Sequence, residues 1–195
     1  MTDWPFDGLQ RRAYGCILAD PPWLFKNRST KGEKKNANQH YLYMSIRDMQ
    51  RLPVADLAHP DGCALMLWAT SPLLDQQMET LKGWGFAYKA AGGWGKRSKT
   101  GRKWAFGPGY IQRSTMEFWL IGTIGDPKRV SRSVRNFMEA PIREHSRKPD
   151  QMRLDCEALW PGPRCELFAR ASAPGWDTWG FERTKFDAQE TQLAA

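Results

Sequence analysis

Four short apolar runs divide this chain, and each has the length of a β-strand rather than that of a helix. They cover residues 14–19, 63–69, 117–121 and 165–169; the third run begins with Glu117, and the last run carries one carboxylate, Glu166. Nearly continuous apolar runs of this kind are typical of strands that are buried on both faces of a sheet. The sequence therefore predicts an interior sheet covered by helices.

Helix signals lie between these runs. Ser45 starts a capping-box pattern, and Ser71 is placed as a cap before proline at the first helical position. A third helix is predicted to open at residues 148–150, with an inner face formed by Met152, Cys156 and Leu159. Strands that alternate with helices in this way indicate an α/β fold with a mostly parallel sheet.

The length and charge of the chain limit its class. Its 195 residues fit a single domain over residues 1–182, which we expect to be followed by a polar, flexible tail over residues 183–195. A hydrophobic fraction of 41% argues against global disorder. The chain has 29 Lys and Arg against 21 Asp and Glu, a net charge of +8. This excess favours a polyanionic partner, although basic enzymes with neutral substrates also exist.

The four cysteines are dispersed among apolar neighbours, without the paired spacing of a zinc cluster or a disulfide frame. We expect buried free thiols and no bound metal. The N-terminus has no basic segment leading into an apolar stretch, and no run approaches the length of a membrane span. We therefore expect a cytoplasmic protein without a membrane partner.

Three polar segments hold most of the positive charge. Residues 26–35, 96–103 and 128–148 have net charges of +4, +5 and +5, so that the rest of the chain is formally −6. They could be solvated loops, but long loops in a compact α/β domain are more often functional because each costs closure entropy. We interpret them as nucleic-acid contacts. The candidate residues are Lys26, Arg28, Lys31, Lys34, Lys35, Tyr41, Lys96, Arg97, Lys99, Arg102, Lys103, Arg113, Arg143 and His145.

Three of the side chains near these segments allow more than one interpretation. Tyr41 and Tyr43 either line a base pocket or anchor the preceding loop. His145 is interpreted as a loop anchor or a phosphate contact rather than as a general base.

The tetrapeptide Asp20-Pro21-Pro22-Trp23 follows the first apolar run directly. Ligands of open α/β sheets bind beyond the carboxyl ends of the strands, so the position suits a site. The two prolines stiffen the loop and remove two N–H donors, which leaves it rich in acceptors. The carboxylate and a backbone carbonyl can accept both hydrogens of an exocyclic amine while Trp23 stacks on the ring. The alternative is a proline turn with a core tryptophan.

With further segments, this tetrapeptide resembles the MT-A70 family of adenine-N6 methyltransferases, and the resemblance runs from about Tyr14 to Glu182. The further segments are Leu67-Trp68-Ala69-Thr70, Trp84-Gly85-Phe86, Trp94-Gly95-Lys96, Gly107-Pro108-Gly109-Tyr110, Glu117-Phe118-Trp119-Leu120-Ile121-Gly122, Arg143-Glu144-His145-Ser146-Arg147-Lys148-Pro149-Asp150, Glu166-Leu167-Phe168-Ala169-Arg170 and the stretch from Gly175 to Glu182. Their joint occurrence in this order is specific.

The resemblance implies a Rossmann-like methyltransferase fold in permuted order, with the catalytic motif before the cofactor-binding half. It implies transfer of a methyl group from S-adenosyl-L-methionine, leaving S-adenosyl-L-homocysteine, without a metal. Asp20, Pro21, Pro22 and Trp23 would be catalytic. The implied cofactor-binding residues are Asp20, Lys148 for the methionine carboxylate, Glu166 and Arg170 near the ribose, and Ser172, Phe181 and Glu182.

The substrate implied is adenine in nucleic acid. The compact chain resembles bacterial and phage members of the family more than the long nuclear ones, which favours DNA over RNA. RNA adenine methylation and cytosine-N4 methylation remain alternatives, as does a non-catalytic partner of a methyltransferase, although such partners depart from the intact tetrapeptide. We expect no extra recognition domain, and therefore either a loose sequence preference with contacts to a few nucleotides or a partner subunit that supplies the specificity. A homodimer is a further alternative.

Overall fold

A computed structural model describes residues 4–23, 44–144 and 146–187 of the chain. Within these residues it has a seven-stranded sheet. The strands are β1 (Cys16–Ala19), β2 (Gly62–Ala69), β3 (Ala87–Arg97), β4 (Met116–Gly125), β5 (Phe137–Pro141), β6 (Arg164–Leu167) and β7 (Asp177–Trp179). The α-helices are α1 (Ile46–Gln50), α2 (Leu74–Gly83) and α3 (Gln151–Leu159), with 3-10 turns at Val54–Leu57 and Ser71–Leu73.

The strand order is β5-β3-β4-β2-β1-β6-β7. β1 lies between β2 and β6 and is parallel to both, while β4 runs antiparallel between β2 and β3. The remaining pairs, β3 with β5 and β6 with β7, are parallel. The α/β fold with a mostly parallel sheet is thus confirmed. The ends of β1, β2, β3 and β6 and the start of β4 meet at one side of the sheet, the carboxyl edge.

Hydrophobic cores cover both faces of the sheet. One contains Ile17, Leu65 and Leu81 of α2, and the other contains Leu18, Met66 and α3. On the α3 face, the indoles of three buried tryptophans meet edge to face, with Trp68 ring centroids 5.7 and 6.2 Å from those of Trp119 and Trp94. These three rings therefore pack in the core.

The predicted inner face of α3 is confirmed, because Met152, Cys156 and Leu159 are all buried. All four cysteines are buried free thiols, and burial raises the pKa of the Cys165 thiol well above its ordinary value. Thiols in such surroundings are unreactive. No helix among the described residues is both long and apolar enough to cross a membrane.

The two predicted serine caps had different outcomes. Ser45 caps α1, and its side-chain oxygen accepts a hydrogen bond from the Asp48 N–H at 3.1 Å. The cap at Ser71 is wrong, because this residue opens a 3-10 turn without a side-chain capping bond. Buried Gln77 instead reaches back to Thr70, accepting from its N–H at 2.8 Å and donating to its hydroxyl at 3.0 Å.

The end of the described chain folds back on the domain. Phe186 is buried, and its N–H donates to the Arg170 carbonyl at 3.0 Å. Residues 188–195 of the predicted tail lie outside the described residues, and the division of the chain at residue 182 remains a prediction.

Candidate active site

The Asp20 carboxylate lies at the carboxyl edge, directly after β1. Its oxygens are 2.8 and 3.1 Å from the Lys148 ammonium and 3.7 Å from the Arg170 guanidinium. All three side chains are only 13–14% exposed. Lys148 precedes α3 and Arg170 follows β6, so loops from three parts of the sequence converge on this one carboxylate, as expected at the carboxyl edge.

Glu117 of β4 extends this group of charges. Its oxygens are 3.4 Å from the Lys148 ammonium and 3.0 Å from the ammonium of Lys96 on β3. The result is a row of alternating charges that runs from Lys96 through Glu117 and Lys148 to Asp20 and then Arg170. We call these five residues the charge row.

Neighbouring charges in the charge row shift the pKa values of Lys148 and Glu117. Burial acts to lower the pKa of Lys148, but Asp20 and Glu117 outweigh it and raise the pKa above the ordinary value. Burial likewise acts to raise the pKa of Glu117, while Lys148 and Lys96 lower it below the ordinary value. Opposite charges at these distances favour the charged form of each partner. The ammonium of Lys148 and the carboxylate of Glu117 are therefore both charged at neutral pH.

A cavity opens beside Asp20. Its lining brings together four predicted site residues, Asp20, Lys148, Glu166 and Arg170. Sequence reasoning missed other lining residues, among them Trp68, Arg153, Phe168 and Phe186. Phe168 and Arg153 lie in or beside segments that the resemblance singled out. Phe186 lies in the predicted tail, where no motif marked it.

Glu166 is buried on β6 and pairs with Arg153 of α3. The Arg153 Nε donates to the Glu166 carboxylate at 2.6 Å, and its guanidinium also donates to the Ala171 carbonyl at 3.2 Å. Burial raises the pKa of Glu166 although Arg153 lowers it in part. A carboxylate at this depth in a cavity can accept hydrogen bonds from the hydroxyls of a bound ligand.

Three residues predicted to bind the cofactor lie outside the lining of this cavity. The Ser172 hydroxyl donates to Asp187 at 2.7 Å, and Phe181 is 72% exposed. Glu182 pairs with Lys185 at 2.5 Å. The structure does not bring these three side chains to the cavity, and two of them, Ser172 and Glu182, contact residues of the C-terminal segment instead.

The prolines of the tetrapeptide hold a tight turn. The Trp23 N–H donates to the Pro21 carbonyl at 2.9 Å, which leaves this oxygen a second lone pair at the start of the loop. The Trp23 ring packs in the core, 7% exposed, and its indole N–H donates to the Trp68 carbonyl at 3.0 Å. This position favours the core-tryptophan alternative over stacking of Trp23 on a substrate ring.

Replacing Trp23 with leucine is expected to lower the free energy of unfolding by about 1–3 kcal/mol, because the smaller side chain leaves a cavity in the core and a hydrogen bond is lost. Oligonucleotide affinity of the folded variant should stay unchanged. Urea unfolding and fluorescence anisotropy measure the two quantities. A stable variant with weakened oligonucleotide binding would restore the stacking role.

Several predicted nucleic-acid residues are already engaged within the protein. Lys96 belongs to the charge row, and Arg97 forms an ion pair with Glu139 at 2.7 Å. Arg143 donates to Asp150 at 2.6 and 2.9 Å. The carboxylate partners lie on neighbouring elements and could not be recognised in the sequence, and the assignment of these three cations to nucleic acid stays a prediction. The residues that lie outside the described ones are Lys26, Arg28, Lys31, Lys34, Lys35, Tyr41, Tyr43 and His145.

The other predicted cations lie in the connection between β3 and β4, where Lys99, Arg102, Lys103 and Arg113 are exposed. This connection leaves the sheet at the carboxyl edge, the same edge that carries Asp20. These four residues therefore remain candidates for contact with a phosphate backbone.

Comparison with known proteins identifies the family of this chain. The model of the MT-A70 family matches residues 14–182. The chain is 31% identical over 199 residues to the Type II methyltransferase M.MunI of Mycoplasma sp, which covers 92% of this chain and 82% of that protein. It is 28% identical over 193 residues to the N(6)-adenine-specific methyltransferase METTL4 of Homo sapiens, over 90% of this chain and 39% of that protein.

A plant relative extends the comparison. The chain is 31% identical over 168 residues to the N(6)-adenosine-methyltransferase MT-A70-like of Arabidopsis thaliana, over 84% of this chain and 23% of that protein. The chain thus spans most of M.MunI and less than half of the two longer relatives. The family match includes both the Asp20 loop and the strand that carries Glu166. This chain belongs to the MT-A70 family.

Proposed function

We propose that this protein transfers a methyl group from S-adenosyl-L-methionine to the N6 amino group of adenine in DNA. The observation that carries the proposal is the Asp20 carboxylate, which lies on a stiff proline loop, lines the cavity and is held by Lys148 and Arg170. DNA is preferred to RNA because the chain covers most of a Type II methyltransferase and only a fraction of the N(6)-adenosine-methyltransferase.

The exocyclic nitrogen of adenine is a weak nucleophile because its lone pair is delocalised into the ring. In this proposal the Asp20 carboxylate accepts one amino hydrogen and the second lone pair of the Pro21 carbonyl accepts the other. Both contacts favour a pyramidal, electron-rich amine, and the carboxylate stabilises the positive charge that develops on nitrogen. The stiffness of the loop means that neither acceptor has to reorganise, so positioning contributes to the rate as well.

The groups that line the cavity fit S-adenosyl-L-methionine. Glu166 offers a buried acceptor for the ribose hydroxyls, with Arg170 beside them, and Lys148 offers a cation for the methionine carboxylate. When bound, this cofactor supplies a methyl group on a sulfonium, which is already a strong electrophile. Phe168 and Phe186 supply apolar surface beside these polar groups. No part of this assignment requires a metal.

The test is to incubate the protein with labelled cofactor and single-stranded DNA, duplex DNA or RNA, and then identify the methylated nucleoside. The expected product is N6-methyladenine in DNA. A labelled cytosine or a product only in RNA would overturn the substrate assignment. Absence of cofactor binding in a titration would favour a non-catalytic partner.

Neutralising Lys99, Arg102 and Lys103 together with glutamine is expected to reduce the salt dependence of DNA binding. Each single-strand phosphate contact contributes about 0.7 to the slope of log K against log salt, so the slope should fall by about 2. Anisotropy titrations at several salt concentrations measure it. The matched control replaces the exposed Lys82 and Lys89, which lie away from the carboxyl edge, and should leave the slope unchanged. An unchanged slope in the triple variant would mean that this loop is merely solvated.

A further inference from the structure

The connection between β3 and β4, residues 98–115, is an ordered arm that exposes aromatic side chains. Arg97 and Trp104 form an antiparallel bridge at its base, and Gly107 and Ser114 form another farther out. Trp104, Phe106 and Tyr110 are nevertheless 46–59% exposed, and Ile111 is 98% exposed. We call residues 98–115 the aromatic arm. Apolar exposure on this scale, on backbone that is held in place, marks a binding surface.

A groove runs along the base of the aromatic arm. It is lined by Gly95, Trp104, Thr115, Met116 and Phe137. A Cβ on Gly95 would lie 2.9 Å from the Trp104 ring and 3.0 Å from the Phe137 ring, so only glycine allows both rings to close over the strand. The groove is therefore walled by two aromatic rings with a glycine between them, a shape that suits a flat ring.

The Trp104 ring is fixed in place before any ligand binds. The Arg97 guanidinium lies 3.6 Å from the centroid of this ring, and two hydrogen bonds of 2.9 and 2.7 Å to Glu139 hold the guanidinium there. Such stacking of arginine on tryptophan lowers the ordering cost of binding, because the ring does not have to be immobilised by the ligand.

The charge of the aromatic arm indicates the chemistry of its ligand. Residues 98–115 contain four cations, Lys99, Arg102, Lys103 and Arg113, and no Asp or Glu. Arg113 lies 4.7 Å above the Phe106 ring, so cation and aromatic ring alternate along the arm. Aromatic rings interleaved with cations bind single-stranded nucleic acid, because bases stack on the rings while the cations follow the backbone.

The position of the groove fits a nucleotide that neighbours the target. β3 lies three strands from β1 in the sheet order, about 14 Å at ordinary strand spacing. An extended single strand crosses this distance in a few nucleotides. A base that is paired and stacked in a duplex could not enter an aromatic groove, whereas one in an unpaired stretch could.

We propose that the groove between Trp104 and Phe137 binds an unpaired base a few nucleotides from the target adenine, which makes single-stranded or locally opened DNA the preferred substrate. This inference rests on the proposed function, since it assigns the second site to the same strand. DNA binding through the cations alone would not depend on an aromatic ring at residue 104, whereas the binding of a base in this groove does.

The experiment measures the affinity of an adenine-containing 12-nucleotide single strand, and of an adenine-centred trinucleotide, by fluorescence anisotropy or competition. Trp104→Leu keeps an apolar side chain but removes the stacking surface, and should weaken 12-mer binding about tenfold. Trp104→Phe should restore most of the affinity. Tyr88→Leu is the matched control, because Tyr88 is 44% exposed at the other end of β3, and should change nothing. The trinucleotide is too short to reach both sites and should bind all variants equally.

Equal 12-mer affinity of the wild type and Trp104→Leu would overturn the inference. So would an equal loss for the trinucleotide, which would mean that the substitution disturbs the Asp20 site. A change in oligomeric state with unchanged DNA affinity would assign the groove to a protein contact. These binding measurements need no methyl transfer, so failure of the proposed function would be seen separately, as a missing N6-methyladenine product from the wild type.

Discussion

Replacing Asp20 with alanine is expected to lower methyl transfer by about a thousandfold, the upper end of what one preorganised electrostatic group contributes. Alanine removes both the acceptor for the amino hydrogen and the negative charge that stabilises the developing cation. The affinity for S-adenosyl-L-methionine should change by no more than a few fold, because Glu166, Arg170 and Lys148 remain in the cavity. Single-turnover assays and calorimetric titration of the cofactor measure the two effects.

Asp20→Asn separates the two contributions of the carboxylate. The amide oxygen still accepts one hydrogen bond but carries no charge, so the rate should lie between those of the wild type and the alanine variant. If the asparagine variant is as slow as the alanine variant, the charge is the main contribution. Near-wild-type turnover of the alanine variant would show that the proposed role of Asp20 is wrong.

The control for Asp20→Ala is Asp56→Ala. Asp56 also forms an ion pair, at 2.6 Å to Arg11, but it lies outside the cavity and should leave the rate unchanged. Folding must be checked for the Asp20 variants by thermal unfolding, because Lys148 loses its nearest carboxylate at 2.8 Å. Loss of cofactor binding in step with loss of activity, in a folded variant, would assign Asp20 to cofactor binding instead.

Local features of the sequence predicted the elements that depend on neighbouring residues. The capping bond of Ser45 and the buried face of α3 follow from spacings of three and four residues. The loop at Asp20 was placed correctly because it follows a short apolar run and contains two prolines. In each case the interacting groups are close in the sequence, so no knowledge of the topology was needed.

β3 could not be predicted in this way. Its Gly92, Gly93 and Gly95 interrupt any apolar run, yet each glycine leaves space for a neighbouring side chain. A Cβ on Gly92 would lie 2.3 Å from the Trp119 ring, and one on Gly93 would lie 2.5 Å from the Met116 sulfur. The glycines of β3 are therefore explained by tertiary packing, which a single sequence does not reveal.

The charge row also depends on tertiary structure and could not be predicted from the sequence. Glu117 stands in an apolar run and was predicted only as part of a buried strand, while Lys148 was assigned to the cofactor. The antiparallel placement of β4 beside β2 brings Glu117 to the carboxyl edge, where it pairs with both Lys96 and Lys148. The partner of each cation was thus decided by topology.

Replacing Glu117 with glutamine is expected to lower the free energy of unfolding by about 3–5 kcal/mol at neutral pH, as for other broken buried ion pairs. Lys96 would lose its carboxylate at 3.0 Å, and Lys148 would keep only Asp20. A neutral amide cannot offset the desolvation of these two ammonium groups, which are 13% and 14% exposed. Urea unfolding at fixed pH measures the loss.

The effect of Glu117→Gln should depend on pH in a definite direction. The pKa of Glu117 is lower in the folded protein than its ordinary value of 4.5, so its contribution to stability is complete above that value and is lost as the pH falls through the folded pKa. The difference between wild type and variant should therefore be full at about pH 6 and should shrink below about pH 4.5.

Glu139→Gln is the matched control for this measurement. Glu139 also pairs with a cation at the end of β3, Arg97, but its side chain is 44% exposed, and exposed pairs contribute only about 0–1 kcal/mol. The two variants thus differ mainly in how deeply the replaced carboxylate is buried. A loss for Glu117→Gln as small as that for Glu139→Gln, or one that persists unchanged at acidic pH, would show that the charge row does not stabilise the carboxyl edge. A large loss with the expected pH dependence would show that the ion pairs of Glu117 stabilise the sheet. The same ion pairs hold the Lys148 ammonium beside Asp20, so the stability of the fold and the position of this cation depend on the same contacts.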